Sequence, residues 1–143
     1  IEVPAAALNA SAFAQRLDFL SIGTNDLTQY TLAIDRVDDE LNYLYDPAHP
    51  AVLRLIQGVI RAGEDVGVPV GMCGEMAGDP RAIPLLLGMG LRELSMQPSA
   101  LLTVREQIQG LDPALLAETA DKVFEHLDLI DPLELFERLI TRH

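Results

Sequence analysis

Three short clusters in this sequence combine residue types that can do chemistry: Glu2 ahead of Val3-Pro4, the run Gly23-Thr24-Asn25-Asp26, and Cys73-Gly74-Glu75. The carboxylates Glu2 and Asp26 suit a hard cation such as Mg²⁺, which commonly takes one or two carboxylates and fills its shell with water and substrate phosphate. The alternative has Glu2 exposed at a frayed end and Asp26 capping a helix opened by Leu27-Thr28-Gln29-Tyr30. Gly23 permits a tight turn, after which the N–H groups of Asn25 and Asp26 stand at a helix start, where an anion is favoured. Cys73 is the only cysteine. It is either a small buried hydrophobe or a thiol that hands a proton to an enolate carbon. No histidine lies near it in sequence to act as a base, so acid fits better than nucleophile. Gly74 lets a ligand approach the backbone closely. Arg36, set among Asp35, Asp38 and Asp39, is either part of a local ion pair or a bidentate clamp on a phosphate. His49, His126 and His143 read as structural or solvent-exposed rather than as phosphoryl acceptors.

Something must bring these clusters together. Asp79-Pro80, Asp112-Pro113 and Asp131-Pro132 each place a capping carboxylate before a proline suited to the first helical position. Glu134 follows Asp131 at capping-box spacing. Four to six helices are expected, near residues 5–15, 50–65, 80–87, 99–109, 113–126 and 132–141, with Gly67, Gly88 and Gly110 as stops. Apolar runs at 19–22, 68–72 and 91–96, with a stub at 1–3, read as buried strands. Strands alternating with helices imply parallel βα units. In such folds chemistry gathers where strands end, and all three clusters fall there. Four strands make half of a (β/α)8 barrel; a small open α/β sheet is the other possibility.

At 143 residues and 49% hydrophobic content, residues 1–143 suit one domain core. No apolar run approaches the roughly 18 to 20 residues of a membrane span. A net charge of −12 opposes nucleic acid and anionic membrane surfaces as partners. An anionic substrate in that field needs local neutralisation by a metal, an arginine or a helix N-terminus. One cysteine forms no intrachain disulfide, and the expected compartment is the cytoplasm. The opening Ile1-Glu2-Val3-Pro4 reads as a strand end rather than a natural start, and the chain therefore reads as a fragment.

The segments Ile1-Glu2-Val3-Pro4-Ala5-Ala6, Ser21 through Arg36, and Gly71-Met72-Cys73-Gly74-Glu75-Met76-Ala77-Gly78-Asp79 closely resemble Enzyme I of the bacterial phosphotransferase system, the phosphoenolpyruvate-protein phosphotransferase family. The resemblance runs from residue 1 to about Gln109. Phosphoenolpyruvate synthase and pyruvate phosphate dikinase share versions of Gly-Thr-Asn-Asp and Cys-Gly-Glu, but the continuation Gln29-Tyr30-Thr31-Leu32-Ala33-Ile34-Asp35-Arg36 is more like Enzyme I. The resemblance implies the C-terminal half of a phosphoenolpyruvate-binding TIM-type barrel with extra C-terminal helices. It assigns Mg²⁺ to Glu2 and Asp26, substrate to Asn25, Asp26 and Arg36, and protonation of the enolate to Cys73, with pyruvate released. It also implies a histidine phosphocarrier protein reached through an absent N-terminal domain that bears the phosphoryl-accepting histidine, while the exposed surface of half a barrel predicts a homodimer. Gln97-Pro98 departs from the small pair many members carry, which puts the shape of the last βα loop in question. A competing reading, independent of the resemblance, is a non-catalytic dimerising fragment, because half a barrel exposes open edges.

Overall fold

The computed structural model describes residues 1–128 and 131–141. Strands β1 (Leu20–Gly23), β2 (Val70–Cys73) and β3 (Glu93–Leu94) form a parallel sheet in that order. Helices α1 (Pro4–Leu8) and α2 (Ala10–Ala14) precede β1; α3 (Thr24–Leu32) and α4 (Pro50–Glu64) lead from β1 to β2; α5 (Ile83–Gly88) leads to β3. Helices α6 (Pro98–Gln109), α7 (Pro113–Glu125) and α8 (Pro132–Ile140) follow. The class is mixed α/β with parallel pairing, as the alternating pattern predicts.

Register explains which face is the core. Leu20 lies opposite Val70, and Ile22 and Leu94 both lie opposite Met72. Leu20, Ile22 and Met72 join a single buried cluster with α4, α5 and the flanking helices. The alternate residues Ser21, Cys73 and Glu93 are exposed. Strands expected to be buried are thus covered on one face only, because the helices returning from each crossover pack on the same side. Helix α4 shows why the chain folds this way: Val52, Leu53, Ile56, Val59 and Ile60 recur at helical spacing and are at most 2% exposed. Burying side chains of this kind contributes about 1.5–3 kcal/mol each before entropy is counted. Its start is capped by His49, whose Nδ1 accepts from Ala51 N at 3.1 Å.

Several boundaries differ from the sequence reading. The helix expected at 5–15 breaks at Asn9, which leaves the helical region (φ −100°, ψ 15°) while its Nδ2 donates to Ala5 O at 2.9 Å. Helix α3, legible in the sequence only as a helix start near Asn25 and Asp26 and given no span there, and the split at Asn9 bring the described α-helices to eight. Asp79 caps a turn instead of a helix: Arg81 N donates to its Oδ1 at 2.9 Å, and α5 begins only at Ile83. The strand expected at 91–96 shrinks to two residues, extended by one bond from Ser95 N to Met72 O at 2.8 Å. The stub at 1–3 is reduced to one residue. Ile1 N donates to Ser21 O and Gly23 N donates to Ile1 O, which is the parallel-ladder pattern around Ile22. Gly88 lies inside α5; the stop is Gly90, with φ 103°, where Leu91 N returns to Leu86 O at 3.1 Å. A Cβ on Gly88 would strike the Leu116 carbonyl, so that glycine lets α5 and α7 pack closely.

Asp112 and Asp131 do cap α7 and α8, accepting from Ala114 N and from Leu133 N and Glu134 N, each at 2.9 Å. Glu134 itself faces Arg138 at 3.7 Å. Gln97-Pro98 opens α6 with the proline in its first turn. No helix among the described residues is long and apolar enough to cross a membrane.

Candidate active site

Because Gly23 pairs with Cys73, β1 and β2 end level, and residues 24–26 and 74–75 enter the same space. The two loops are then sewn together. Thr24 Oγ1, on a side chain 1% exposed, donates to Cys73 O at 3.1 Å, and Glu75 N donates to Asn25 Oδ1 at 3.0 Å. Gly74 makes this possible. Its φ of 104° is unfavourable for any side chain, and a Cβ would run into Thr24 Oγ1. With Oδ1 committed to Glu75, the amide nitrogen of Asn25 is the polar group left for a ligand. Asn25, Gly74, Glu75, Ser95, Met96 and Gln97 line a cleft of about 580 Å³ at these strand ends. A second cleft of about 570 Å³ lies away from them, against Pro84, Leu111, Phe136 and Ile140.

The structure decides between several of the paired readings. Cys73 is free and exposed at the end of β2, which removes the buried-hydrophobe alternative. Asp26 is not a cap: the N-cap of α3 is Gly23, and Asp26 lies half-buried in the first turn, where the helix dipole favours a negative charge. Glu2 is exposed, with its Cγ and Oε1 2.7 Å from where a Cβ on Gly23 would sit. Both carboxylates therefore lie at the C-terminal end of β1. Among the described residues no group of three or more His, Cys, Asp or Glu side chains is placed to hold a metal ion. Glu2 and Asp26 offer two carboxylates, which suits an ion that fills the rest of its shell with water and substrate oxygen.

Helix α3 ends at Ala33, held left-handed at φ 55°, ψ 38°, a conformation costing a non-glycine residue about 1 kcal/mol. That turn sends the chain into an exposed loop carrying Arg36. The four ion pairs among the described residues use Arg54, Arg81, Lys122 and Arg138, so the local ion pair expected for Arg36 is not formed there. The backbone N of Arg36 donates to Gln29 Oε1 at 3.4 Å. His126 places Nδ1 2.9 Å from Lys122 O, and His143 lies outside the described residues.

Sequence reasoning missed Tyr45. Its hydroxyl donates to Asn25 O at 2.9 Å. Burial raises the phenol above its ordinary range, opposed by the Thr28 hydroxyl and the Arg36 charge and reinforced by Glu75 and Asp26. No spacing rule links Tyr45 to Asn25 twenty residues earlier, and the following Asp46-Pro47 signals only a turn.

Comparison with known proteins gives the family. Residues 1–112 match the family described as PEP-utilising enzyme, PEP-binding domain. The chain is similar to phosphoenolpyruvate-protein phosphotransferases: it is 50% identical over 131 residues to that of Enterococcus faecalis, covering 92% of this chain and 23% of the relative. It is 54% identical over 128 residues to that of Cupriavidus necator, covering 90% and 22%, and 48% identical over 142 residues to that of Streptococcus equinus, covering 99% and 25%. The chain thus spans about a quarter of the length of these relatives. With the family matched across the whole strand-end site, this chain belongs to the PEP-utilising enzymes and carries sequence of their PEP-binding domain.

Proposed function

We propose that this chain is the phosphoenolpyruvate-binding C-terminal part of a phosphoenolpyruvate-protein phosphotransferase, contributing half of a (β/α)8 barrel. The observation that carries the reading is the interlock of Asn25 and Glu75 beside an exposed Cys73 at one strand end, in a chain about half identical to proteins of that name. A sheet whose second face is left to Ser21, Cys73 and Glu93 supports the barrel half over an open sheet with helices on both sides.

In this reading the phosphoryl group leaves the enol oxygen of phosphoenolpyruvate for a histidine on an upstream domain, and then passes to a histidine phosphocarrier protein. Asn25 holds the substrate through its free amide nitrogen, and Arg36, on the loop that follows α3, grips the phosphate with its planar fork. Glu2 and Asp26 would hold Mg²⁺, which when bound neutralises charge on the phosphate and on the enolate. Loss of the phosphoryl group leaves an enolate. Cys73 Sγ gives its proton to C3 and pyruvate departs, after which solvent returns a proton to the thiolate. The exposed position of Cys73 at the end of β2, next in sequence to Gly74 and Glu75 of the cleft wall, supports this role. The protein works in the cytoplasm as a homodimer.

The test is pyruvate release from phosphoenolpyruvate by the full-length protein with Cys73→Ala. The variant is expected to lose on the order of 10²–10⁴-fold, the usual worth of a positioned general acid. Parental turnover would sink the assignment. A dikinase or synthase would show itself instead by a requirement for a nucleotide acceptor of the phosphoryl group.

A further inference from the structure

Residues 33–46 form a long connection whose only regular structure is the 3-10 turn Asn42–Leu44. Loops of this length in a compact domain are usually functional. Its aspartates shape it locally: Asp35 Oδ1 accepts from Val37 N at 3.0 Å, Asp38 Oδ1 from Glu40 N at 2.9 Å, and Asp46 Oδ1 from Ala48 N at 2.9 Å. These bonds close small turns and do not set where the loop stands against the site. Two others do. Arg36 N to Gln29 Oε1 is long at 3.4 Å, while Tyr45 OH to Asn25 O is well formed at 2.9 Å.

The phenol lines a cleft together with Glu75, and the Arg36, Glu75 and Asp26 charges bear on its ionisation less than its burial does. It stands against Thr28, which is fully buried on α3. Asn25 is thereby held at two atoms: its carbonyl by Tyr45, its side-chain oxygen by Glu75 N. One end of that double grip belongs to the Arg36 loop and the other to the loop after β2.

We infer that Tyr45 is a positioning residue, whose hydroxyl fastens the Arg36 loop to the Asn25 turn so that the guanidinium and the amide nitrogen meet one phosphorylated substrate together. The inference rests on the phosphotransferase reading. Removing only the hydroxyl should leave the fold intact, since the ring and its packing remain, and should loosen the register between two substrate-holding groups.

The experiment compares Tyr45→Phe with the parent in the full-length protein, well below the unfolding midpoint of either, using phosphoenolpyruvate as substrate and a histidine phosphocarrier protein as the final phosphoryl acceptor. Loss of one such hydrogen bond is expected to lower kcat/KM about fivefold to tenfold, chiefly through KM. Placed in an Arg36→Ala background, the same substitution is expected to cost less than about twofold, because the guanidinium whose position it sets is gone. An unchanged kcat/KM with only a lowered melting temperature overturns the inference, as does an equal loss in both backgrounds. A parent that releases no pyruvate sinks the phosphotransferase reading, and the inference with it, before any variant is made.

Discussion

Asn25 is the hinge of the site, and each bond it makes is inherited from a neighbour the sequence does not advertise. Glu75 acts on it through a backbone N–H and Tyr45 arrives from twenty residues away, while the Thr24 hydroxyl bonds to Cys73 O beside it. Gly74 is the residue whose replacement tests this arrangement most directly. Gly74→Ala combines a left-handed φ with a clash against Thr24 Oγ1. We expect a loss of at least about 1–2 kcal/mol in the urea unfolding of the chain, together with loss of pyruvate release in the full-length protein; an unchanged unfolding midpoint would contradict the packing described. The motif residues Asn25, Asp26 and Cys73 were legible in the sequence because they sit directly after apolar runs. Tyr45 was not, because a tertiary hydrogen bond leaves no periodic signal. Arg36 was legible only as a choice between two roles, and its lack of a described acidic partner came from the fold.

At the scale of elements, helix starts read best where an aspartate and a proline stand together at a true cap. Asp112 and Asp131 each accept backbone N–H bonds as expected. Asp79 shows where the rule stops, since the same pair can close a turn ahead of the helix. Asp112→Ala should cost about 1 kcal/mol of stability, the usual worth of a cap, seen as a lower urea midpoint for the chain. A midpoint equal to the parent's would mean that water replaces the carboxylate at no cost. Strand lengths were the least legible feature. Val68 and Pro69 are apolar yet lie outside β2, and Leu91 and Met96 lie outside β3, because pairing ends where the neighbouring strand ends rather than where hydrophobicity does. The break at Asn9 was equally hidden, since a five-residue helix on either side keeps alanines at helical spacing.

The described molecule is one-sided: a helical core closes on one face of the sheet, and among the described residues the far edge of β1 is bonded only by Ile1. Val3, Phe13, Leu17 and Phe19 flank that edge at 39%, 40%, 50% and 66% exposure. An apolar rim of this kind calls for a cover. The isolated chain is expected to self-associate in sedimentation velocity, with a coefficient that rises with concentration and rises further with salt, because a net charge of −12 opposes the approach of two copies until it is screened. A single monomer boundary at every concentration would show that the rim is tolerated in water. The same one-sidedness leaves Cys73 open to solvent as the chain's sole thiol. It is therefore an address as well as a reactive group: a fluorinated or spin-bearing thiol reagent attaches at one defined point, at the end of β2 where the Asn25 and Glu75 loops are joined, and turns the strand ends into a spectroscopic reporter without a single engineered mutation.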